Sequence, residues 1–314
     1  MMDKELLAKR VEEVLRQAGF FTSDRCYLRP RSFDLAARKG DLFLLLKILS
    51  NIDGLNEQTA REVRRLAKHL IASPLLVGEK TRDQYLERGA VYFRYGIPTL
   101  SLFTLADCLL EEALPLVYAA HGGLYVQIDG LRMRQLRLER GISLGALASD
   151  LGVSRRTISK YETESMDTSV DVALRLEEIF ERELIQPVDP FHFGTEEEKL
   201  EKVADSQVTD NILRLLLEIG FEVVPTAQAP FNAITRDEDL VVLTGVSKFS
   251  QSMLKKARLM SSLSAVAKTK SAVIVDGETK LECIEETAII EKRELETIGQ
   301  TREFEDLVME KQNK

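Results

Sequence analysis

The sequence predicts a multidomain protein of the α/β plus all-α class, with two related α/β domains on either side of a helical bundle. Three observations support this fold class. Strand-like and helix-like segments alternate over residues 1–120, which is typical of an α/β domain. A similar pattern returns over residues 206–300. Between them, residues 131–187 have helical periodicity broken at glycines. A chain of 314 residues has room for these domains.

The first α/β domain is predicted over residues 1–120. It begins with an amphipathic helix over residues 4–19, which ends at Gly19. Apolar runs bounded by turn signals then predict strands, and one further amphipathic run predicts a helix. In order, these are an extended stretch around residues 27–28, strands at 32–37 and 42–49, a helix at 56–72, and strands at 74–77 and 90–95.

The second α/β domain, residues 206–300, is predicted to be a shorter copy of the first. Residues 32–48 align without gaps with residues 230–246, at an offset of 198. Residues 73–77 align with residues 271–275 at the same offset. Matches in the same order along the chain indicate a duplication. The identical pairs in the longer match are Phe33/Phe231, Arg38/Arg236, Asp41/Asp239, Leu42/Leu240 and Leu45/Leu243. Residues 191–205 are expected to form a linker, and residues 301–314 a polar tail.

Composition excludes several classes of protein. The 44% hydrophobic and 30% charged residues are ordinary for a globular domain, and no apolar run approaches the length of a membrane span. The net charge is −8, yet residues 131–160 hold seven arginines and lysines against two acids. Local charge sets the field that a ligand meets at short range, so this segment suits a polyanion. The potential metal ligands are scattered without ligand spacing, which argues against a zinc site and for a reducing cytosol: Cys26, Cys108, Cys283, His69, His121 and His192.

The central bundle, predicted over residues 121–190, carries the most specific pattern. One helix ends at Gly141, and Ser143 has the hydroxyl that caps a second, short helix. Gly152 supplies a left-handed turn, and Ser154 caps a third helix over residues 154–162. Helical spacing places one set of apolar side chains inside: Leu147, Ala148, Leu151, Val153, Ile158 and Tyr161.

This pattern resembles the lambda-repressor-like (Cro-type) helix-turn-helix family over residues 131–187. The resemblance implies double-stranded DNA as the partner and the third helix as the recognition helix. It places contacts to base edges at Arg155, Arg156, Ser159 and Lys160. The family usually has a glutamine at the start of the second helix, where it braces a phosphate contact; this chain has Leu144 there.

Helical spacing leads to the same exposed surface. With Ile158 and Tyr161 turned inward, the four polar residues just named point outward. Arginine can bond both major-groove acceptors of guanine. Contacts to DNA phosphates are expected from neighbouring basic and hydroxyl side chains: Arg132, Arg134, Arg137, Ser154 and Thr157. The alternative is that these groups form a solvated helix face.

The first α/β domain resembles the restriction-endonuclease-like fold in its order of helix, strands and helix. Active members hold Mg²⁺ with an aspartate on one strand and an acid on the next, followed two residues later by a lysine. Asp34 and Lys47 match two of these positions, but Leu45 stands where the acid is needed. The second copy has Asn232, Leu243 and Gly245 at the three positions, so every catalytic role is lost there. Both domains are therefore expected to be inactive.

The complete arrangement resembles a family of archaeal proteins thought to be transcriptional regulators. We therefore expect a cytoplasmic, sequence-specific DNA-binding regulator that is not an enzyme and forms a homodimer. Its flanking domains are expected to serve dimerisation or contact with the transcription machinery, without a cofactor, metal or membrane. Two alternatives stay open: a metal-dependent nuclease that uses Asp34 and Lys47, and a scaffold that does not bind DNA.

Overall fold

The computed structural model describes residues 3–164, 166–192, 208–238 and 240–313. Its two mixed sheets and central helices confirm the predicted fold class. Within the described ranges, no helix combines the length and the apolar character needed to cross a bilayer.

The helices are numbered in chain order, and a 3₁₀ turn at Ile52–Gly54 precedes the second of them. They are α1 (Lys4–Gln17), α2 (Glu57–Leu70), α3 (Leu102–Leu110), α4 (Gly130–Glu139), α5 (Leu144–Leu151), α6 (Arg155–Glu162), α7 (Val170–Phe180), α8 (Asn211–Ile219), α9 (Gln251–Ala267), α10 (Lys292–Leu295) and α11 (Thr301–Gln312).

The strands are numbered in the same way. They are β1 (Phe21–Thr22), β2 (Leu35–Lys39), β3 (Leu42–Asn51), β4 (Ser73–Lys80), β5 (Ala90–Arg94), β6 (Ile97–Ser101), β7 (Val117–Ala120), β8 (Gly123–Ile128), β9 (Thr168–Ser169), β10 (Ile185–Gln186), β11 (Glu222–Pro225), β12 (Ala233–Arg236), β13 (Val241–Ser247), β14 (Lys270–Val275), β15 (Cys283–Ile284) and β16 (Thr287–Glu291).

The two sheets repeat one topology. The first has the order β1-β2-β3-β4-β6-β5 and continues through β7, β8 and β10, whereas the second has the order β11-β12-β13-β14-β16-β15. The registers also match. Leu35 pairs with Leu46 in the first copy, and Ala233 pairs with Thr244 in the second, at the offset of 198 found in the sequence. The repeat in the sequence therefore corresponds to a repeat of strand order and pairing.

The edge strand of the first copy differs from the prediction, and parts of the second copy and of the linker lie outside the described residues. The extended stretch expected around residues 27–28 is irregular, and the edge strand is β1, a few residues earlier. Of the matching aspartates, Asp41 lies in the turn between β2 and β3, while Asp239 lies outside the described residues. Most of the expected linker, residues 193–205, also lies outside them.

The prediction of a polar tail is wrong, because residues 301–312 form α11. Phe304 and Val308 on this helix are buried in the core of the second copy, and the Phe304 ring packs edge-on against Phe221. Their spacing of four residues forms a narrow apolar stripe on an otherwise charged helix. The second copy therefore extends to the end of α11 rather than to residue 300.

The predicted boundary at residue 120 falls inside a β-hairpin. Ala120 pairs with Gly123, so His121 and Gly122 form the two-residue turn between β7 and β8. The strand β8 also pairs with β9 and β10, which lie on either side of α7 in the chain. The helical bundle is therefore tied to a sheet by strand pairing.

The chain divides into two compact units. The first consists of residues 1–14, 49–54 and 76–194, and it contains the helical bundle. The second consists of residues 15–48, 55–75 and 195–314, and it contains the second copy together with part of the first.

Within the second unit, the two copies share one hydrophobic core. Phe33 and Leu45 of the first copy lie in the same buried cluster as Phe231 and Leu243, which occupy the equivalent positions in the second. Helices α2 and α9 contribute further buried side chains to this cluster. The matching faces of the two copies are thus buried against each other within one chain.

Polar contacts follow the same paired arrangement. Arg38 on β2 donates to the carbonyls of Val266 and Ala267, at 2.7 and 3.2 Å, where α9 ends. Its repeat partner Arg236 on β12 lies close enough to His69, near the end of α2, to influence its titration. Each arginine therefore lies near the end of the other copy's helix.

His69 is buried in this unit, at 5% exposure, and its Nδ1 atom has no hydrogen-bond partner among the described residues. Burial lowers the pKa of its imidazole, and the positive charges of Arg236, Arg65 and Lys68 lower that pKa further, against an opposing effect of Glu222. The neutral imidazole is therefore the form that the fold accommodates.

We expect the protein to lose stability as the pH falls below 6.5, the ordinary pKa of histidine. The unfolded chain binds a proton at His69 in this range, whereas the folded chain binds it only at lower pH. His69→Gln should therefore weaken the fall in the free energy of unfolding between pH 7.5 and 5.5, measured by urea denaturation. His121→Gln, at an exposed histidine, is the control. An unchanged pH dependence in His69→Gln would contradict this assignment.

Candidate nucleic-acid interface

The turn between α5 and α6 is fixed by local caps. Ser143 Oγ accepts the N–H of Ala146 at 3.0 Å and begins α5. Gly152 ends α5 in the left-handed conformation, at a φ of 66°. Ser154 Oγ then accepts the N–H of Thr157 at 3.0 Å and begins α6. The structure confirms all three capping residues that the sequence predicts.

The bundle holds α6 rigidly in place. Its core contains Leu147, Ala148 and Leu151 from α5 and Ile158 and Tyr161 from α6, all predicted to be buried. Helix α7 adds Ala173, Leu176 and Phe180 to the same core. Helix α4 approaches so closely that a Cβ at Gly130 would overlap the carbonyl oxygen of Tyr161. The orientation of α6 therefore depends on three other helices.

Arg137 is buried rather than exposed, which corrects the prediction that it contacts a phosphate. Its Nε donates to Glu162 Oε1 at 2.5 Å, its Nη2 donates to Glu162 Oε2 at 3.0 Å, and its Nη1 donates to the Ile142 carbonyl at 3.0 Å. Both charged side chains are buried, and the bonds to Glu162 raise the pKa of Arg137. Arg137 lies one turn after buried Met133 on α4, so it faces the bundle and fixes the end of α6.

The other predicted residues of α6 and α4 are on the surface. Arg155, Arg156, Ser159 and Lys160 are all exposed, as helical spacing predicts, and so are Arg132 and Arg134 on α4. Among the described residues, none forms an ion pair or hydrogen bond with the guanidinium groups of the four arginines in this set. The four guanidinium groups are therefore available for a ligand.

Ser154 and Thr157, two further phosphate candidates, make capping contacts. Their hydroxyl oxygens lie 2.8 Å apart, in addition to the cap from Ser154 to the Thr157 amide. One hydroxyl hydrogen is therefore used within the pair. The second hydroxyl hydrogen lies at the beginning of α6 and could be donated to a phosphate.

Two contributors to this surface are missed by reasoning from the sequence. Glu162 is the buried partner of Arg137, and the signal for its burial is its position four residues after Ile158 on α6. Gly145 in α5 leaves the space that the side chain of Arg155 occupies. A glycine near the start of a helix is the signal here, because it costs helix stability relative to alanine.

The nuclease-like positions of the first copy lie in the second unit and hold an ion-pair cluster. Arg31 Nε is 2.7 Å from Asp34 Oδ1, and Lys47 Nζ is 3.7 Å from Asp34 Oδ2. Asp34 Oδ2 also accepts the N–H of Ile48 at 2.9 Å, and Lys47 donates to the carbonyl of Arg31 at 2.9 Å. Asp34 is buried, at 3% exposure, and Leu45 is buried in the shared core.

This arrangement does not fit a divalent metal. The expected second acid is an apolar side chain, and Asp34 Oδ1 is paired with Arg31, a protein cation that would repel Mg²⁺. The second copy keeps the hydrogen bond to the neighbouring strand but lacks the charged side chains. Asn232 Oδ1 accepts the N–H of Val246 at 2.9 Å, as Asp34 does from Ile48, while Ala229 and Gly245 replace Arg31 and Lys47. The shared role of the two residues is therefore to brace the neighbouring strand.

Comparisons with known proteins agree with both parts of this description. A family model of the PD-(D/E)XK superfamily domain matches residues 4–115, and a helix-turn-helix family model matches residues 133–185. No solved structure matches the chain.

Several archaeal proteins are similar over the full length of the chain, and their names mark them as proposed HTH-type transcriptional regulatory proteins. The relative from Methanosarcina mazei is 50% identical and covers 99% of both chains. The relative from Methanococcoides burtonii is 48% identical over 99% of this chain and 98% of its own. The relative from Natronomonas pharaonis is 46% identical over 99% of both chains. With its PD-(D/E)XK superfamily domain and its helix-turn-helix, the chain therefore belongs to this family of proposed HTH-type transcriptional regulatory proteins.

Proposed function

We propose that the protein is a transcriptional regulator that binds a specific double-stranded DNA sequence by placing α6 in the major groove. The observation that carries this proposal is the exposed basic face of α6, on a helix that the bundle holds in a fixed orientation. Arg156, Ser159 and Lys160 are spaced three and four residues apart on this face. Arginine and lysine suit the acceptors of guanine, and serine bonds to several bases.

Arg132 and Arg134 on α4 are the proposed contacts to DNA phosphates. They are exposed, and within the described chain neither guanidinium forms an ion pair. Contacts to phosphates position a protein on DNA without reading its sequence, and each one adds to the salt dependence of the affinity. Arg137, buried on Glu162, has no part in this set.

We further propose that the regulator acts as a homodimer in the cytoplasm and contacts a component of the transcription machinery. A helix-turn-helix commonly gains affinity and specificity by binding two half-sites about one helical turn apart. Within the second unit the matching faces of the two α/β copies are already buried on each other. A second copy of the chain would therefore have to use another surface.

The first test is selection from a random duplex library in EDTA, followed by substitution of the reading residues. We expect a roughly palindromic sequence to be enriched, with an affinity that falls as the salt concentration rises. Arg156→Ala and Lys160→Ala should each cost about 1–3 kcal/mol of binding free energy at one base position and relax the preference there. Electrophoretic mobility shifts with single-base variants of the selected site measure this.

The matched control is Arg175→Ala, which removes an exposed arginine from α7 and should leave base preference unchanged. Thermal melting of every variant verifies that the fold is kept. If Arg156→Ala and Lys160→Ala bind with unchanged preference, α6 is not the reading surface. If the wild type binds no duplex even at low salt, the protein is a scaffold instead.

A second candidate function is a metal-dependent nuclease, which the match to the PD-(D/E)XK superfamily domain favours. Our proposal is that the domain does not cut DNA and that Asp34 is structural. Asp34 Oδ2 braces Ile48, and Arg31 and Lys47 neutralise its charge. The neutral counterpart Asn232 keeps the brace without either cation.

We expect Asp34→Asn to lower the free energy of unfolding by about 1–3 kcal/mol, because two largely buried cations lose their carboxylate. Adding Arg31→Ala should recover part of that loss, since one of those cations is removed. Urea denaturation of the single and double variants measures both effects. Cleavage of supercoiled plasmid by the wild type in Mg²⁺, abolished in Asp34→Asn, would contradict the structural role and establish a nuclease.

A further inference from the structure

Arg155 differs from the other exposed residues of α6 in the direction of its side chain. A Cβ placed on Gly145 would lie 2.8 Å from Arg155 Nε, 2.9 Å from Nη2 and 3.0 Å from Cζ. These separations put the guanidinium directly over the backbone of α5, in the space that any other residue at position 145 would fill. The side chain therefore extends towards α5 and away from the exposed face of α6.

Helical spacing explains this direction. Arg155 stands three residues before Ile158 and seven before Glu162, and both of those side chains are buried. Arg156 stands three residues before Ser159 and four before Lys160, which are exposed. Residues at these spacings lie on one face of a helix. Arg155 thus borders the buried face, whereas Arg156 is central to the exposed face.

The guanidinium of Arg155 also lacks an internal counter-charge. None of the described carboxylates forms an ion pair with it, and it makes no hydrogen bond to the described residues. In a helix-turn-helix complex the recognition helix, here α6, enters the major groove while the preceding helix, here α5, crosses the sugar–phosphate backbone. A cation lying on α5 would therefore meet phosphate oxygens rather than base edges.

We propose that Arg155 is a phosphate clamp, which binds one DNA backbone phosphate from its position on Gly145 and so sets the depth of α6 in the groove. This inference rests on the proposed DNA binding and changes the role first predicted for Arg155, which was base reading. Gly145 is part of the clamp because it leaves room for the planar guanidinium. The absence of glutamine at Leu144 is consistent with this arrangement, since an arginine occupies the neighbouring surface.

Two substitutions remove the clamp in different ways. Arg155→Ala deletes the guanidinium. Gly145→Ala leaves it in place but inserts a methyl group where it lies, and the three atoms nearest to this methyl all belong to the flexible Arg155 side chain. Alanine also favours a helix over glycine, so Gly145→Ala should melt at the same temperature or higher. A loss of DNA binding in this variant could therefore not be attributed to unfolding.

The experiment measures affinity for the selected duplex and for a random-sequence duplex of equal length, across a salt titration. Arg155→Ala should weaken both by the same factor, about tenfold. It should also reduce the slope of log affinity against log salt by about 0.9, the value for one phosphate. Gly145→Ala should also lower the affinity and reduce the salt slope. In the Arg155→Ala background, Gly145→Ala should have no further effect on either quantity. Ser149→Ala, at an exposed position of α5, is the control.

Each other outcome has a defined meaning. If Arg155→Ala alters preference at one base pair and leaves random-duplex affinity unchanged, Arg155 reads a base and the inference fails. If affinity and salt slope are unchanged, Arg155 is a solvated side chain and the inference fails as well. If the effects of Gly145→Ala and Arg155→Ala add, the glycine does not act through the arginine. If the wild type binds neither duplex, the proposed function fails and the clamp fails with it.

Discussion

Both α/β copies have an apolar face that must be covered, and in the second unit each copy covers the other. Phe33 and Phe231, which occupy equivalent positions, lie in the same buried cluster. Burial of apolar area is the largest favourable contribution to folding, so this core sets which surfaces the chain can still offer. The hydrogen bonds of Arg38 to the end of α9, and the positive charge of Arg236 that lowers the pKa of His69, depend on this arrangement. The duplication thus provides within one chain the partner that a single copy would lack.

The nuclease-like positions are consistent with a second constraint, which is that a buried carboxylate needs compensation. A metal would supply it in a nuclease, but here Arg31 and Lys47 do so. The second copy solves the same problem differently, because Asn232 carries no charge and the cations are replaced by Ala229 and Gly245. Both solutions keep the hydrogen bond to the neighbouring strand. The residues at these positions therefore have a structural role that does not depend on catalysis.

In the helical bundle, similar arginines have different tasks because of where their side chains lie. Arg137 is buried on Glu162, and Arg140 donates at 2.5 Å to the carbonyls of Ile179 and Phe180 where α7 ends. Both fix the helices that support α6. Arg155 and Arg156 are adjacent in sequence, yet one lies against α5 and the other belongs to the outward face. The arginines of this segment are thus divided between contacts that hold α6 in the bundle and the exposed face of α6.

The sequence by itself determined the features that depend on short-range chemistry. Caps at Ser143 and Ser154, the left-handed turn at Gly152 and the outward face of α6 follow from local hydrogen bonding and helical spacing, and they agree with the structure. The repeat also followed from the sequence, since strands with the same pattern adopt the same pairing. Only the tertiary structure decided that Arg137 is internal, that α11 is part of a core, and that two protein cations neutralise Asp34. Each of these depends on a partner distant in sequence, and periodicity shows which face of an element is buried but not what the opposing element places against it.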